Sequence, residues 1–362
     1  MTEKDFILNK TNTSNIEKGS FTWRSPSNIA LVKYWGKSDP QIPKNPSISF
    51  TLSNCYTTTT LEFSKKENPS KIFSVEVIFE GKIKEDFKPK ILKFFERIKK
   101  YIPFITAYDF VIKTENSFPH SSGIASSASG MSALALCLMS IEKELNPTIA
   151  EKYFNQKASF LARLGSGSAA RSIEGELVVW GEHKSIDNSS DLYGVKFPYK
   201  LHKNFKDYHD TILLVDKGEK QVSSTVGHKL MIDHPFSEQR FIQANENISK
   251  LSKILQNGDL TSFVNLVESE ALTLHAMMLA SNPYFILMKP NTLKIIEKIW
   301  EYRKKNISNV CFTLDAGANV HILFPEREKE AINAFITNDL IVFCQKNHYI
   351  CDHAGIGAMN LE

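Results

Sequence analysis

Four groups of residues in this 362-residue chain have types and spacings suited to chemistry on an anion. The first is Pro119-His-Ser-Ser-Gly-Ile-Ala-Ser-Ser-Ala-Ser-Gly130, dense in hydroxyls and holding two glycines that permit backbone geometry other residues resist. An apolar helix predicted over Met131 to Ile141 follows it, so free N–H groups and the positive end of a helix dipole would lie beside it. That combination suits phosphate, although a serine-capped helix start is the plainer reading. No GxxxxGK[ST] run occurs, so it is not a Walker A loop. The second group is Lys33 and Lys37, four apart, with Tyr34 and Trp35 between them. Two cations and a phenol fit an anionic substrate, and equally fit an exposed surface. The third is Gly165-Ser-Gly-Ser-Ala-Ala-Arg171, where a guanidinium can grip a carboxylate or phosphate through two N–H groups, or simply pack in a tight turn. The fourth is Asp315, which follows the strand-like Cys311-Phe-Thr-Leu and precedes Ala316-Gly317. It can project from a strand end into a cleft or merely form the turn.

These groups need elements to carry them. Ser47 to Leu52, Thr57 to Phe63 and Phe73 to Phe79 read as strands, Lys88 to Tyr101 as an amphipathic helix, and Phe110 to Lys113 as a short strand. A helix over Ala150 to Ala162 and a strand at Leu177 to Trp180 follow. The polar stretch from Ser185 to about residue 205 is the expected boundary between lobes. Beyond it come a strand at Thr211–Val215 and helices near 237–256, 260–275 and 291–304. Strands at Val310–Leu314 and Val320–Phe324, a helix near 327–337 and a strand at Leu340–Phe343 complete the chain. The order predicts an α+β protein: a loose polar lead-in over 1–20, an N-terminal lobe over 21–204 and a C-terminal lobe over 205–362.

Composition excludes little but points one way. Lys+Arg 44 against Asp+Glu 40 gives +4, too weak a bias for nucleic acid, and no basic, aromatic-interleaved face stands out. Five cysteines with no CxxC pair disfavour a disulfide scaffold and a structural zinc site, and suit reduced thiols in a cytoplasm. No apolar run reaches the length of a membrane span, and residues 1–20 lack the apolar core of a secretory signal. His275 on an apolar helix reads as a packed histidine, and His353 before Gly355 and Gly357 as part of a turn.

The order Pro-x-x-x-Gly-Ile-x-Ser-Ser-Ala in the first group resembles the phosphate loop of the GHMP kinase superfamily. Pro26-Ser-Asn-Ile-Ala-Leu-Val-Lys-Tyr-Trp-Gly-Lys37, Ala162-Arg-Leu-Gly-Ser-Gly-Ser-Ala-Ala-Arg-Ser172, Gln221-Val-Ser-Ser-Thr225 and Thr313-Leu-Asp-Ala-Gly-Ala-Asn319 resemble signatures of its diphosphomevalonate decarboxylase branch. The resemblance implies a two-lobed GHMP-kinase-like fold, with a ribosomal protein S5 domain 2-like N-terminal lobe, an α/β-sandwich C-terminal lobe and the active site in the cleft between them. It implies ATP and Mg2+, a small-molecule substrate carrying a diphosphate, no nucleic acid or membrane partner, and a cytoplasmic homodimer. Asp315, Lys33 and Arg171 are the implied catalytic residues. Asp315 would act as base toward a tertiary 3-hydroxyl, kept ionised by Lys33, and Arg171 would hold the carboxylate. Tyr34, Trp35, Gly36, Lys37, Ser166, Gly167, Ser168, Ala169, Ala170 and Thr225 are implied on the substrate. Asn116, Ser122, Gly123, Ala125, Ser126, Ser127 and Ser129 are implied on ATP, with Ser127 the candidate beside Mg2+. The chain departs from the pattern at Ser38, where the family commonly has Arg, at Ala170 for Cys and at Ala318 for Pro. Ser38 leaves open a monophosphate substrate, and a kinase without decarboxylation is the other alternative.

Overall fold

The computed structural model describes residues 1–8, 16–68, 72–119, 124–218 and 224–361. Two long antiparallel strands dominate the first half: β1 (Lys18–Val32) and β2 (Ser47–Lys65). From Cys55 to Phe63 every second residue of β2 is buried, the period expected of a sheet with one face on a core. The two strands predicted within 47–63 are therefore one. β3 (Ser74–Phe79) runs parallel to β4 (Tyr108–Asn116), which pairs antiparallel with the outer half of β2. β5 (Leu177–Trp180) pairs with the inner half of β2, from Ser47 opposite Trp180 to Phe50 opposite Leu177.

Helices cover one face of this sheet. α1 (Lys88–Ile98) buries Ile91, Phe94, Phe95 and Ile98, a spacing that puts all four on one helical face. α2 (Ser126–Leu145) is buried almost all round, and α3 (Glu151–Gly165) packs beside it. α2 starts five residues before the predicted Met131, because burial carries a Ser/Gly-rich turn whose own helix propensity is weak. The described residues of the lead-in are structured at both ends. A 3-10 turn at Glu3–Phe6 buries Phe6, which stacks on Phe160 at 4.4 Å, and β1 already begins at Lys18.

The second half is built on a four-stranded antiparallel sheet in the order β7 (Cys311–Thr313), β8 (Val320–Phe324), β6 (His209–Leu213), β9 (Tyr349–His353). α5 (Ser237–Asn257), α6 (Leu260–Leu279) and α7 (Pro290–Asn306) pack with it, and α4 (Ser224–Lys229) is a short helix before them. The strand predicted at Leu340–Phe343 is absent. After α8 (Lys329–Phe335) the chain winds on as a π turn and a 3-10 turn, because Ile332, Phe335, Ile336 and Leu340 continue one buried helical face. His353 lies in β9 and not in a turn.

The lobes are joined through more than the linker. Ile29, Leu31 and Val32 of β1 and Ile48 and Phe50 of β2 share a core with Leu251, Leu255, Phe263 and Val267 of the helical layer. The Asp352 carboxylate accepts hydrogen bonds from the Asn54 and Cys55 N–H groups, and the two-residue strand Met359–Asn360 returns to pair with β1. The inner ends of β1 and β2 are thus fixed against both halves.

Candidate active site

Lys33 immediately follows β1, and register shifts at residues 27 and 31 break the pairing of β1 with β2 just before its end. The side chain of Lys33 is 2 % exposed, and its ammonium lies 3.2 Å from Oδ1 of Asp315, which follows β7 and is 31 % exposed. Burial pushes the Lys33 pKa down, opposed by the Asp315 carboxylate and more weakly by Glu270. The Lys33 backbone is also clamped. Its N–H donates to Glu270 Oε2 at 2.9 Å, and its carbonyl accepts from Asn45 Nδ2 at 2.9 Å and Arg240 Nη2 at 3.2 Å. The Asp315 carbonyl accepts from Gly317 N–H at 2.7 Å and from His275 Nε2 at 3.1 Å, so both partners sit on pinned backbone.

The pair lines a cavity of about 270 Å³ with Tyr34, Trp35, Lys37, Ser166, Gly167, Ser168, Arg171 and His228. Arg171 is buried, and among the described residues its guanidinium donates only to neutral hydroxyls, Nε to Ser49 Oγ at 2.6 Å and Nη1 to Ser47 Oγ at 2.5 Å. Burial holds its pKa down at about 10. Its charge is positioned by hydroxyls that do not neutralise it, which suits an arriving anion. The Tyr34 hydroxyl is buried without a hydrogen-bond partner among the described residues, and burial raises its pKa. Lys37 donates to Gln41 Oε1 at 2.7 Å, and burial lowers its pKa.

A second cavity of about 210 Å³ adjoins the first, and Lys90 and Ser127 line both. Its walls are apolar from Val77, Phe79, Phe87, Ile91, Ile112, Met131 and Leu134, with Thr57, Thr59, Thr114 and Asn116 as polar points. Ser126 and Ser127 open α2 at its rim, and Ala125 before them adopts a left-handed backbone, φ 45°.

The structure gathers most residues the sequence singled out, but not all. Gly36, Ala169 and Ala170 support the first cavity without lining it, and Ser129 turns to the sheet, sharing a 2.6 Å hydrogen bond with Thr57. Ser122, Gly123 and the Thr225 side chain lie outside the described residues. Glu270, Arg240, His228 and Lys90 were not anticipated. The available signal was a charged residue, Glu270, inside the apolar run of α6.

Comparison with known proteins decides the family. One family model, the diphosphomevalonate decarboxylase-like N-terminal domain, matches residues 25–191, and another, the mevalonate 5-diphosphate decarboxylase C-terminal domain, matches 211–356. The chain belongs to the diphosphomevalonate decarboxylase family. The enzyme of that name from Ganoderma lucidum is 28% identical over 337 residues, covering 87% of this chain and 81% of the relative. The mevalonate diphosphate decarboxylase structure from Staphylococcus aureus superposes with a TM-score of 0.80 at 27% identity, over 95% of this chain and 98% of that one. A family structure described as a complex with MVAPP, AMPPCP and magnesium gives 0.81 at 27% identity, over 95% and 99%. The fold is the two-lobed GHMP-kinase-like arrangement the motifs implied. No helix among the described residues is long and apolar enough to cross a membrane.

Proposed function

We propose that this family member converts mevalonate 5-diphosphate and ATP to isopentenyl diphosphate, ADP, phosphate and CO2. The observation that carries the reading is the Lys33–Asp315 pair on the wall of a polar cavity that shares Ser127 and Lys90 with an apolar one. The apolar cavity has the walls for a purine, and its rim has the start of α2 for phosphates. ATP held there would have its γ-phosphate on the side of the pair. Mg2+ would be held chiefly by the nucleotide phosphates, with the Ser127 hydroxyl the candidate protein ligand. Such an ion supplies charge neutralisation to the phosphates.

The residues divide the reaction between them. Asp315 orients the tertiary 3-hydroxyl and accepts its proton, and the Lys33 ammonium favours the carboxylate form and meets the transferred phosphoryl oxygens. When the new phosphate leaves C3, electron density from the C1–C2 bond fills the developing cation and CO2 departs. Arg171 orients the C1 carboxylate while its other N–H groups stay on Ser47 and Ser49. Tyr34, Lys37 and the serines at 166 and 168 take the diphosphate end. A cytoplasmic homodimer completes the reading; the free thiols of all five cysteines suit that compartment.

The test is CO2 release in step with ADP from mevalonate 5-diphosphate. Asp315→Asn should leave ATP binding near normal and lower turnover by roughly 10²–10⁴-fold, the usual contribution of a general base. Near-wild-type CO2 release from that variant refutes the role. A higher kcat/KM for mevalonate 5-phosphate would move the substrate to the monophosphate, and ADP without CO2 would leave a kinase.

A further inference from the structure

His228 lies in α4, buried, on the wall of the first cavity beside Tyr34, Lys37 and Arg171. Its ring is held from three directions. The Tyr34 ring centre is 4.2 Å away, the Trp35 ring centre 4.8 Å, and Nδ1 accepts the Gly36 N–H at 3.0 Å. Gly36 can aim that N–H because it sits at φ +96°, and a Cβ there would meet the Phe241 ring at 2.9 Å. A backbone N–H only donates, so Nδ1 is the acceptor and a neutral ring must carry its proton on Nε2. Neutrality is favoured by burial first and then by the Lys37 and Arg171 charges, which together push the pKa down to about 3. No described residue accepts a hydrogen bond from Nε2.

We infer that His228 is a specificity-determining residue for the diphosphate end of the substrate, donating its Nε2–H to a terminal phosphate oxygen. The substrate named here rests on the decarboxylase reading above. The wall already holds Lys37 and Arg171, and Ser38, in the position where the family pattern places a further cation, does not line the cavity. Another fixed cation would repel those two before substrate arrives. A neutral imidazole adds a directed donor without that repulsion.

Two substitutions separate the ring nitrogens. His228→Asn places a carbonyl near Nδ1 and keeps an acceptor for Gly36 but has no donor at Nε2. His228→Gln places an amide N–H near Nε2 and gives up the Gly36 acceptor. Dissociation constants for mevalonate 5-diphosphate and mevalonate 5-phosphate are measured by calorimetry on the full chain, with circular dichroism checking the fold. His228→Asn should weaken the diphosphate by roughly tenfold or more, as loss of a hydrogen bond to a charged group predicts, and the monophosphate little. His228→Gln should stay within about threefold of wild type for both, since the donor to the charged group is retained. Wild-type diphosphate affinity in His228→Asn, equal losses in both variants, or equal losses for both ligands would each overturn the inference. If the wild-type protein binds neither ligand and releases no CO2, the decarboxylase reading fails first and the inference falls with it.

Discussion

Replacing Glu270 by Gln removes one negative charge from the point where the helical layer holds Lys33. Glu270 is fully buried, and its two oxygens have separate duties. Oε2 accepts from Lys33 N–H at 2.9 Å and Arg240 Nη2 at 2.5 Å, while Oε1 accepts from Arg240 Nη1 at 2.8 Å and Asn247 Nδ2 at 2.6 Å. A glutamine amide therefore faces two N–H donors whichever way it is turned. The Arg240 guanidinium, 1 % exposed, loses its ion partner as well. Breaking a buried pair from one side costs about 3–5 kcal/mol. At about 2–4 °C per kcal/mol for lobes of this size, the melting temperature should fall by roughly 6–20 °C. Lys33 also loses the second of the two carboxylates that oppose its desolvation, so its pKa should drop further and kcat should fall more than ATP affinity. Differential scanning calorimetry and coupled ADP and CO2 assays read both effects. A second variant separates them: replacing Glu270 and Arg240 together by methionine should recover much of the stability, because no buried charge is left unpaired, yet leave kcat low. A Glu270→Gln protein that melts within about 2 °C of wild type, too little for an exposed buried-pair defect, and turns over normally would refute the clamp.

Two further outcomes follow from the same geometry. His228 and His275 have pKa values pushed down to about 3 and about 4, chiefly by burial, whereas the unfolded chain takes up these protons near pH 6.5. The stability they contribute is therefore whole above about pH 6.5 and is lost as pH falls toward 4 and 3. At pH 5 each accounts for a loss of ~2 kcal/mol, so in urea titrations His228→Asn should decline less than wild type between pH 7 and 5 by about that amount, and an equal decline would refute it. Arg171→Lys keeps a charge but replaces the planar fork, whose separate nitrogens reach Ser49, Ser47 and a carboxylate, by donors on a single nitrogen, so the KM for the acid substrate should rise by about tenfold or more; an unchanged KM from steady-state kinetics would show that the guanidinium does not grip it.

The elements were legible where one periodicity ran uninterrupted, and least legible where burial overrode local preference. α1 showed itself through Ile91, Phe94, Phe95 and Ile98, whereas the Ser-rich start of α2 and the wound segment after Phe335 did not. The site divides differently. Lys33 and Asp315 are 282 positions apart, and neither has a local feature separating it from a surface lysine or a turn aspartate. Their motifs named them by family likeness, and nothing in their neighbours' types could do so, because what sets the surroundings of Lys33 is not local. Its backbone is held by Asn45 from the segment after β1, by Arg240 from α5 and by Glu270 from α6, while its charge is opposed by Asp315 from beyond β7. A lysine can be this deeply buried and still sit beside solvent-facing chemistry only if those contacts exist together. The same reasoning explains why His228 escaped notice: its tautomer is set by an N–H that Gly36 presents from 192 positions away. Residue type and spacing nominate groups that could react; long-range hydrogen bonds decide which proton each one carries, and that assignment distinguishes a site from a surface.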